Sequence, residues 1–218
     1  DHWAYCDRFP DSVICFLRFG GGDAPDGGAY SAGPEFSDGR FVALAGFFSD
    51  EDVGGGFNTR HGSQMAHEFG HYFGLPHTFR DYPAYPAGAN VAQVHQHLID
   101  VALRDVGPAA PETDVDRRDD VFDTPFDPGP SFYSALKPGS VGEAVAGNAA
   151  VTVSGMFNGT RVIYDIAPDT NNLMSYYQGN PVVTEAPAST HLSPDQIVRM
   201  HLTLRHPLRR QLLRPPVT

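Results

Sequence analysis

The chain has few cysteines, few basic residues and no long apolar run. Its 218 residues include two cysteines, Cys6 and Cys15. Their spacing is not that of a zinc site shared between them. Two readings stay open for the pair, a single small disulfide loop or free buried thiols, since Cys15 lies in the apolar run Val13 to Phe19. Lys and Arg total 15 against 26 Asp and Glu, a formal net charge of −11. No basic stretch offsets that excess, which excludes nucleic acid as an expected partner. The one basic cluster, Arg205 to Arg214, reads as a solvated helix face and tail. No apolar run reaches membrane-spanning length, so no membrane span is expected. The opening Asp-His-Trp is not a signal peptide, so targeting and pro-segments are expected to lie outside this chain.

What the chain does have is glycine (23) and proline (19) around 41% hydrophobic residues. That is enough apolar material for one folded domain, interrupted by many turns and long loops. Ser12 to Phe19 and Phe41 to Phe48 read as strands, separated by the Gly-, Pro- and Asp-rich loop 20–39. Thr59 to Phe73 reads as a helix, because Met65, Phe69 and Phe73 recur every four residues. Gly74 and Pro76 stop it. Val91 to Val106 is a second expected helix, and 107–139 is loop-like. Val151 to Val153 and Arg161 to Ile166 are expected strands joined through the turn Asn158-Gly159. Asn158-Gly159-Thr160 also fits a glycosylation sequon. Ser193-Pro194 opens a last helix running to about Leu204.

The stretch that carries chemistry is His67-Glu68-Phe69-Gly70-His71-Tyr72-Phe73-Gly74-Leu75-Pro76-His77. Histidines four apart share one helix face, so His67 and His71 can converge on one metal ion. Glu68 follows the first ligand directly and can reach a water polarised by that metal without binding it. Gly74 can take a positive φ and turn the chain, bringing His77 back as third ligand. The full pattern H-E-x-x-H-x-x-G-x-x-H is that of metal-assisted peptide hydrolysis, with one catalytic Zn2+ and Glu68 as general base. Met174, in the turn-prone Asn172-Leu173-Met174-Ser175-Tyr176, has two readings: a turn beneath the metal, or a plain core methionine. His95 and His97 sit two apart and face different ways. His2, His61, His191, His201 and His206 show no ligand spacing and read as structural or solvated.

The chain resembles the pappalysin family of metzincin zinc peptidases, with its cytophagalysin-like relatives. The resemblance rests on HEFGHYFGLPHTF (67–79), DDVFDTP (119–125), NNLMSYY (171–177) and LSPDQIVRM (192–200), in that order, over about a quarter of the chain. It implies an α+β fold of two lobes around a cleft. An upper lobe (1–74) of twisted mixed sheet backed by helices would carry the zinc helix. An irregular lower lobe (75–218) would hold the Met174 turn and end in a helix. It implies that Tyr176 approaches the zinc or the oxyanion, the alternative being a tyrosine packed under the helix. It implies Ca2+ at the Val121 carbonyl, Asp123 and Thr124, the alternative being a solvated acidic loop. The peptide or protein substrate would lie along an edge strand near Phe41 to Phe48. By class, a secreted monomer with an inhibitory pro-segment outside this chain is expected. Three departures stand out: no cysteine after Cys15, an added helix in the stretch 81–118, and an added hairpin in 126–168. The rival expectation is a non-catalytic zinc- or calcium-binding recognition module.

Overall fold

A computed structural model describes residues 2–19, 29–31, 33–34, 40–48, 59–79, 88–105, 121, 123–129, 150–175 and 191–213. Within them the chain is an α+β protein of small sheets and helices. It divides into two compact units, residues 1–76 with 194–218, and residues 77–193. No helix among the described residues is long and apolar enough to cross a membrane.

The first unit holds α1 (His2–Arg8), β1 (Ile14–Phe19), β2 (Ala29–Ser31), β3 (Phe41–Phe48) and α2 (Thr59–Tyr72). It also holds the C-terminal helix described last. Its sheet is mixed, in the order β1-β3-β2. β1 runs parallel to β3, from Ile14 opposite Phe41 to Leu17 opposite Leu44, with a register shift before Phe19 meets Phe48. β2 runs antiparallel along the other side of β3, Ala29 opposite Leu44 and Ser31 opposite Val42. Val42 and Leu44, two apart on one face of β3, are buried with Tyr72. Around them pack Met65, Phe69 and Phe73, the four-residue stripe expected of α2, together with Val13, Cys15 and Leu212.

Two expectations change here. The loop 20–39 contains β2, a strand too short to show alternation in sequence and formed by pairing with β3. β3 is therefore paired on both sides and is not an edge; among the described strands of this sheet, the edge facing away from β1 belongs to β2. α1 was not anticipated, since its seven residues carry no clear period. Cys6, buried in α1, and half-buried Cys15 are both free thiols, so the pair does not form the small disulfide loop. Burial raises the pKa of each.

The second unit packs α3 (Val91–Asp100) against the hairpin of β4 (Val151–Phe157) and β5 (Thr160–Ile166). Asn90 and Gln93 form a reciprocal capping box at the start of α3. The expected helix reaches Asp100 and continues as a π-helical turn, Val101–Asp105. The hairpin turns at Asn158 (φ 49°) and Gly159 (φ 79°), as the Asn-Gly signal predicts. Its core joins Val94, Leu98, Ile99, Val101, Ala102 and Phe126 to Val153 and Ile166. The Gln96 amide faces the β4 backbone, donating to the Met156 carbonyl (2.8 Å) and accepting from its N–H (2.7 Å).

The last helix, α4 (Pro194–Thr203), starts on Pro194 as expected and is followed by a 3₁₀ turn, Arg210–Leu213. It belongs to the first unit, where Arg209 bonds to the end of α2 and Arg199 to the turn after it.

Leu98 is 1% exposed and Ile163 68%. Leu98→Ala is expected to cost about 2–5 kcal/mol, and Ile163→Ala no more than about 0.5 kcal/mol, in urea unfolding. Equal costs would mean that α3 is not seated on the hairpin as described.

Candidate metal centre

The site begins with the stripe that fixes α2. Met65, Phe69 and Phe73 face the sheet, so positions two residues along, about 200° round the helix, face away from it. His67 and His71 occupy those positions. Their Nε2 atoms lie 3.1 Å apart, and their rings meet edge to face at 4.7 Å. Two imidazole nitrogens on one tetrahedral zinc would be separated by about 3.3 Å, given Zn–N bonds near 2.0–2.1 Å.

His71 Nδ1 lies 2.6 Å from the Leu75 carbonyl. That oxygen can only accept, so Nδ1 carries the proton and Nε2 keeps its lone pair for a metal. Burial holds the His71 pKa below its ordinary value, against the opposing pull of the Leu75 carbonyl. The ring is thereby kept neutral, the state a metal requires.

α2 ends in a Schellman turn. Leu75 N–H donates to the Gly70 carbonyl (2.9 Å) and Gly74 N–H to the His71 carbonyl (2.8 Å). Gly74 adopts φ +83°, a conformation costly to any residue with a Cβ. After this reversal His77 returns toward the helix. One ligand atom from each of His67, His71 and His77 lies within 4.8 Å of the others. It is the one such group found among the described residues.

The residues after His77 are held firmly within the second unit. His77 stacks on Phe79, ring centroids 4.9 Å apart and ring planes nearly parallel. Thr78 N–H donates to the Met174 carbonyl (3.1 Å). The Thr78 hydroxyl donates to Asp127 (2.7 Å), which also accepts from Gly129 N–H (2.8 Å). Asp127 is buried and Met174 fully so. Met174 N–H donates to the Asn172 side chain (2.9 Å). Asp169 pairs with His191 at 2.6 Å, so that histidine braces the turn.

Glu68 is 6% exposed. Burial pushes its pKa up to about 7, while a backbone hydrogen bond from Ser31 in β2 pulls the other way. An acid beside these histidines, with a pKa near neutrality, is suited to exchange protons.

Of the remaining sequence candidates, Tyr176 lies outside the described residues. Val121 is buried, Thr124 half-buried and Asp123 exposed. The Asp123 carboxylate accepts from the Ser193 hydroxyl at 2.6 Å. Sequence reasoning missed Thr78, Asp127, Asn172, Arg199 and Arg209. Thr78 and Asn172 adjoin residues already singled out, and Asp127 lies in the stretch 107–139, which reads as loop. Comparison of the chain with protein-family models, curated proteins and solved structures finds no match.

The raised Glu68 pKa sets a stability trend for the metal-free protein. Unfolded, the group ionises near 4.5; folded, near 7. Its stabilising contribution is therefore complete below about pH 4.5 and is lost as pH rises through 7. Metal-free Glu68→Gln should match wild type near pH 4.5 and exceed it by up to about 3 kcal/mol at pH 8 in urea titrations. A constant difference across pH would show that Glu68 is not buried as described.

Proposed function

We propose that this chain is a zinc-dependent endopeptidase of the metzincin type, most like the pappalysins, acting on proteins or peptides. The observation that carries the reading is the meeting of His67, His71 and His77 within 4.8 Å, with buried Glu68 next to the first of them. Held by His67, His71 and His77, zinc would supply Lewis-acid polarisation of the scissile carbonyl and of a water beside it. Glu68 takes the water's proton at its carboxylate and passes it to the leaving amine. Tyr176 donates a hydrogen bond to the developing oxyanion.

The peptide lies extended along β2 rather than β3. Ser31 in β2 hydrogen-bonds Glu68, and among the described strands β2 is paired with β3 alone. A substrate strand added there reaches the base directly. Calcium at Val121, Asp123 and Thr124 belongs to the same reading, as do secretion, a monomeric state and an inhibitory pro-segment outside the chain.

Metal analysis and cleavage of a denatured-protein library test the proposal. Wild type should hold about one zinc per chain through its three histidines. Glu68→Ala should keep the zinc and lose about 10²–10⁴-fold in cleavage rate. His77→Ala should lose zinc and cleavage together. Zinc without cleavage in wild type would favour a non-catalytic recognition module, and no zinc would sink the reading.

A further inference from the structure

A helix leaves its last four carbonyls without partners along its own axis. At the end of α2 the Schellman turn takes those of Gly70 and His71. The carbonyls of Tyr72 and Gly74 are taken from far along the chain. Arg209 Nε donates to the Tyr72 carbonyl at 2.9 Å, across 137 residues. Its guanidinium lies 3.6 Å over the Tyr72 ring. Arg199 Nε donates to the Gly74 carbonyl at 2.6 Å, across 125 residues. Thr203 closes the remaining side: a Cβ on Gly74 would sit 2.7 Å from its hydroxyl. All three residues belong to α4 and the turns after it, within the first unit.

Arg209 is 1% exposed. Burying a guanidinium is costly unless its N–H groups and its face both find partners. An apolar side chain would fill the same space more cheaply, but it would not select a carbonyl. Two arginines aimed at two successive parts of one turn hold a direction, not merely a contact. That turn separates His71 from His77.

We infer that Arg199, Thr203 and Arg209 form a positioning clamp for the metal centre, fixing the reversal at Gly74 by which His77 joins His67 and His71. The inference rests on the three histidines as a metal site, but not on peptide cleavage. It makes the C-terminal segment a determinant of metal affinity, although none of its described residues joins the histidine cluster.

The test is zinc affinity by chelator competition, with Co2+ absorption spectra and metal-free melting curves, on the full chain. Arg199→Met is expected to weaken zinc binding about 10–100-fold. It should change the Co2+ ligand-field bands and lower the metal-free melting temperature by only a few degrees. Arg199→Lys, which keeps one donor for the Gly74 carbonyl, should recover most of the affinity. Arg209→Met should act in the same direction, with a larger loss of melting temperature. Unchanged zinc affinity and Co2+ spectra in both Met variants, whatever their melting temperatures, would overturn the clamp. So would a wild type that binds no zinc. Clamp-dependent zinc binding in a wild type that cleaves nothing would uphold the clamp and remove the peptidase reading.

Discussion

Everything at this site depends on the chain reversing at Gly74. Had α2 continued, His77 would lie about 9 Å further along the axis than His71, at 1.5 Å per residue. Two metal–nitrogen bonds together span only about 4 Å. For all three histidines to share one metal, the helix must therefore break between His71 and His77. The break is made of a glycine at φ +83° and two turn hydrogen bonds, to the Gly70 and His71 carbonyls. His71 is thus tied to the turn twice, through its carbonyl and through its ring on the Leu75 carbonyl. Displacing the turn would also release the tautomer that puts a lone pair on Nε2.

Burial acts on the two kinds of group at the site in chemically useful ways. It lowers the pKa of His71, which favours the neutral ligand. It raises that of Glu68, which favours the neutral acid. In both cases the low-dielectric surroundings reject charge. A divalent cation reverses the balance for the carboxylate but not for the imidazole, since it attracts an anion and binds a neutral ring. The same burial therefore keeps His71 in the neutral form that a metal would need, and a bound cation would favour the ionised form of Glu68. Ser31 adds a fixed donor that favours the ionised form, and it comes from β2.

What could be read in the sequence is what the chain encodes over short distances. The ligand run spans eleven residues, and its helix, its stop and its apolar stripe are all local. The Asn158-Gly159 hairpin and the Pro194 start of α4 are local too. The capping box of Asn90 and Gln93 was equally local and passed unread. β2 was hidden because three residues carry no period, and its strand character comes from β3. Missing it left β3 looking like an edge and moved the expected peptide path by one strand. Arg199 and Arg209 were read as part of a solvated basic tail or not at all. Their roles lie in contacts 125 and 137 residues away, which no local pattern records.

The third histidine of the cluster differs from the other two in how it is held. His67 and His71 inherit the rigidity of α2. His77 has no helix of its own and must be fixed from both ends. Upstream is the Gly74 turn. Downstream, Thr78 is bonded through its N–H to the Met174 carbonyl and through its hydroxyl to buried Asp127. Phe79 lies against Gly129, where an added Cβ would fall 3.2 Å from its ring. The contact from Met174 is thus made by its backbone, which any residue could supply. What the side chain adds is bulk without polarity, fully buried in a turn whose own N–H groups are taken by Asp169, Asn172 and the His191 carbonyl. A polar side chain there would need a partner that a turn so fully bonded has little room to offer. Methionine fills the space and asks for none.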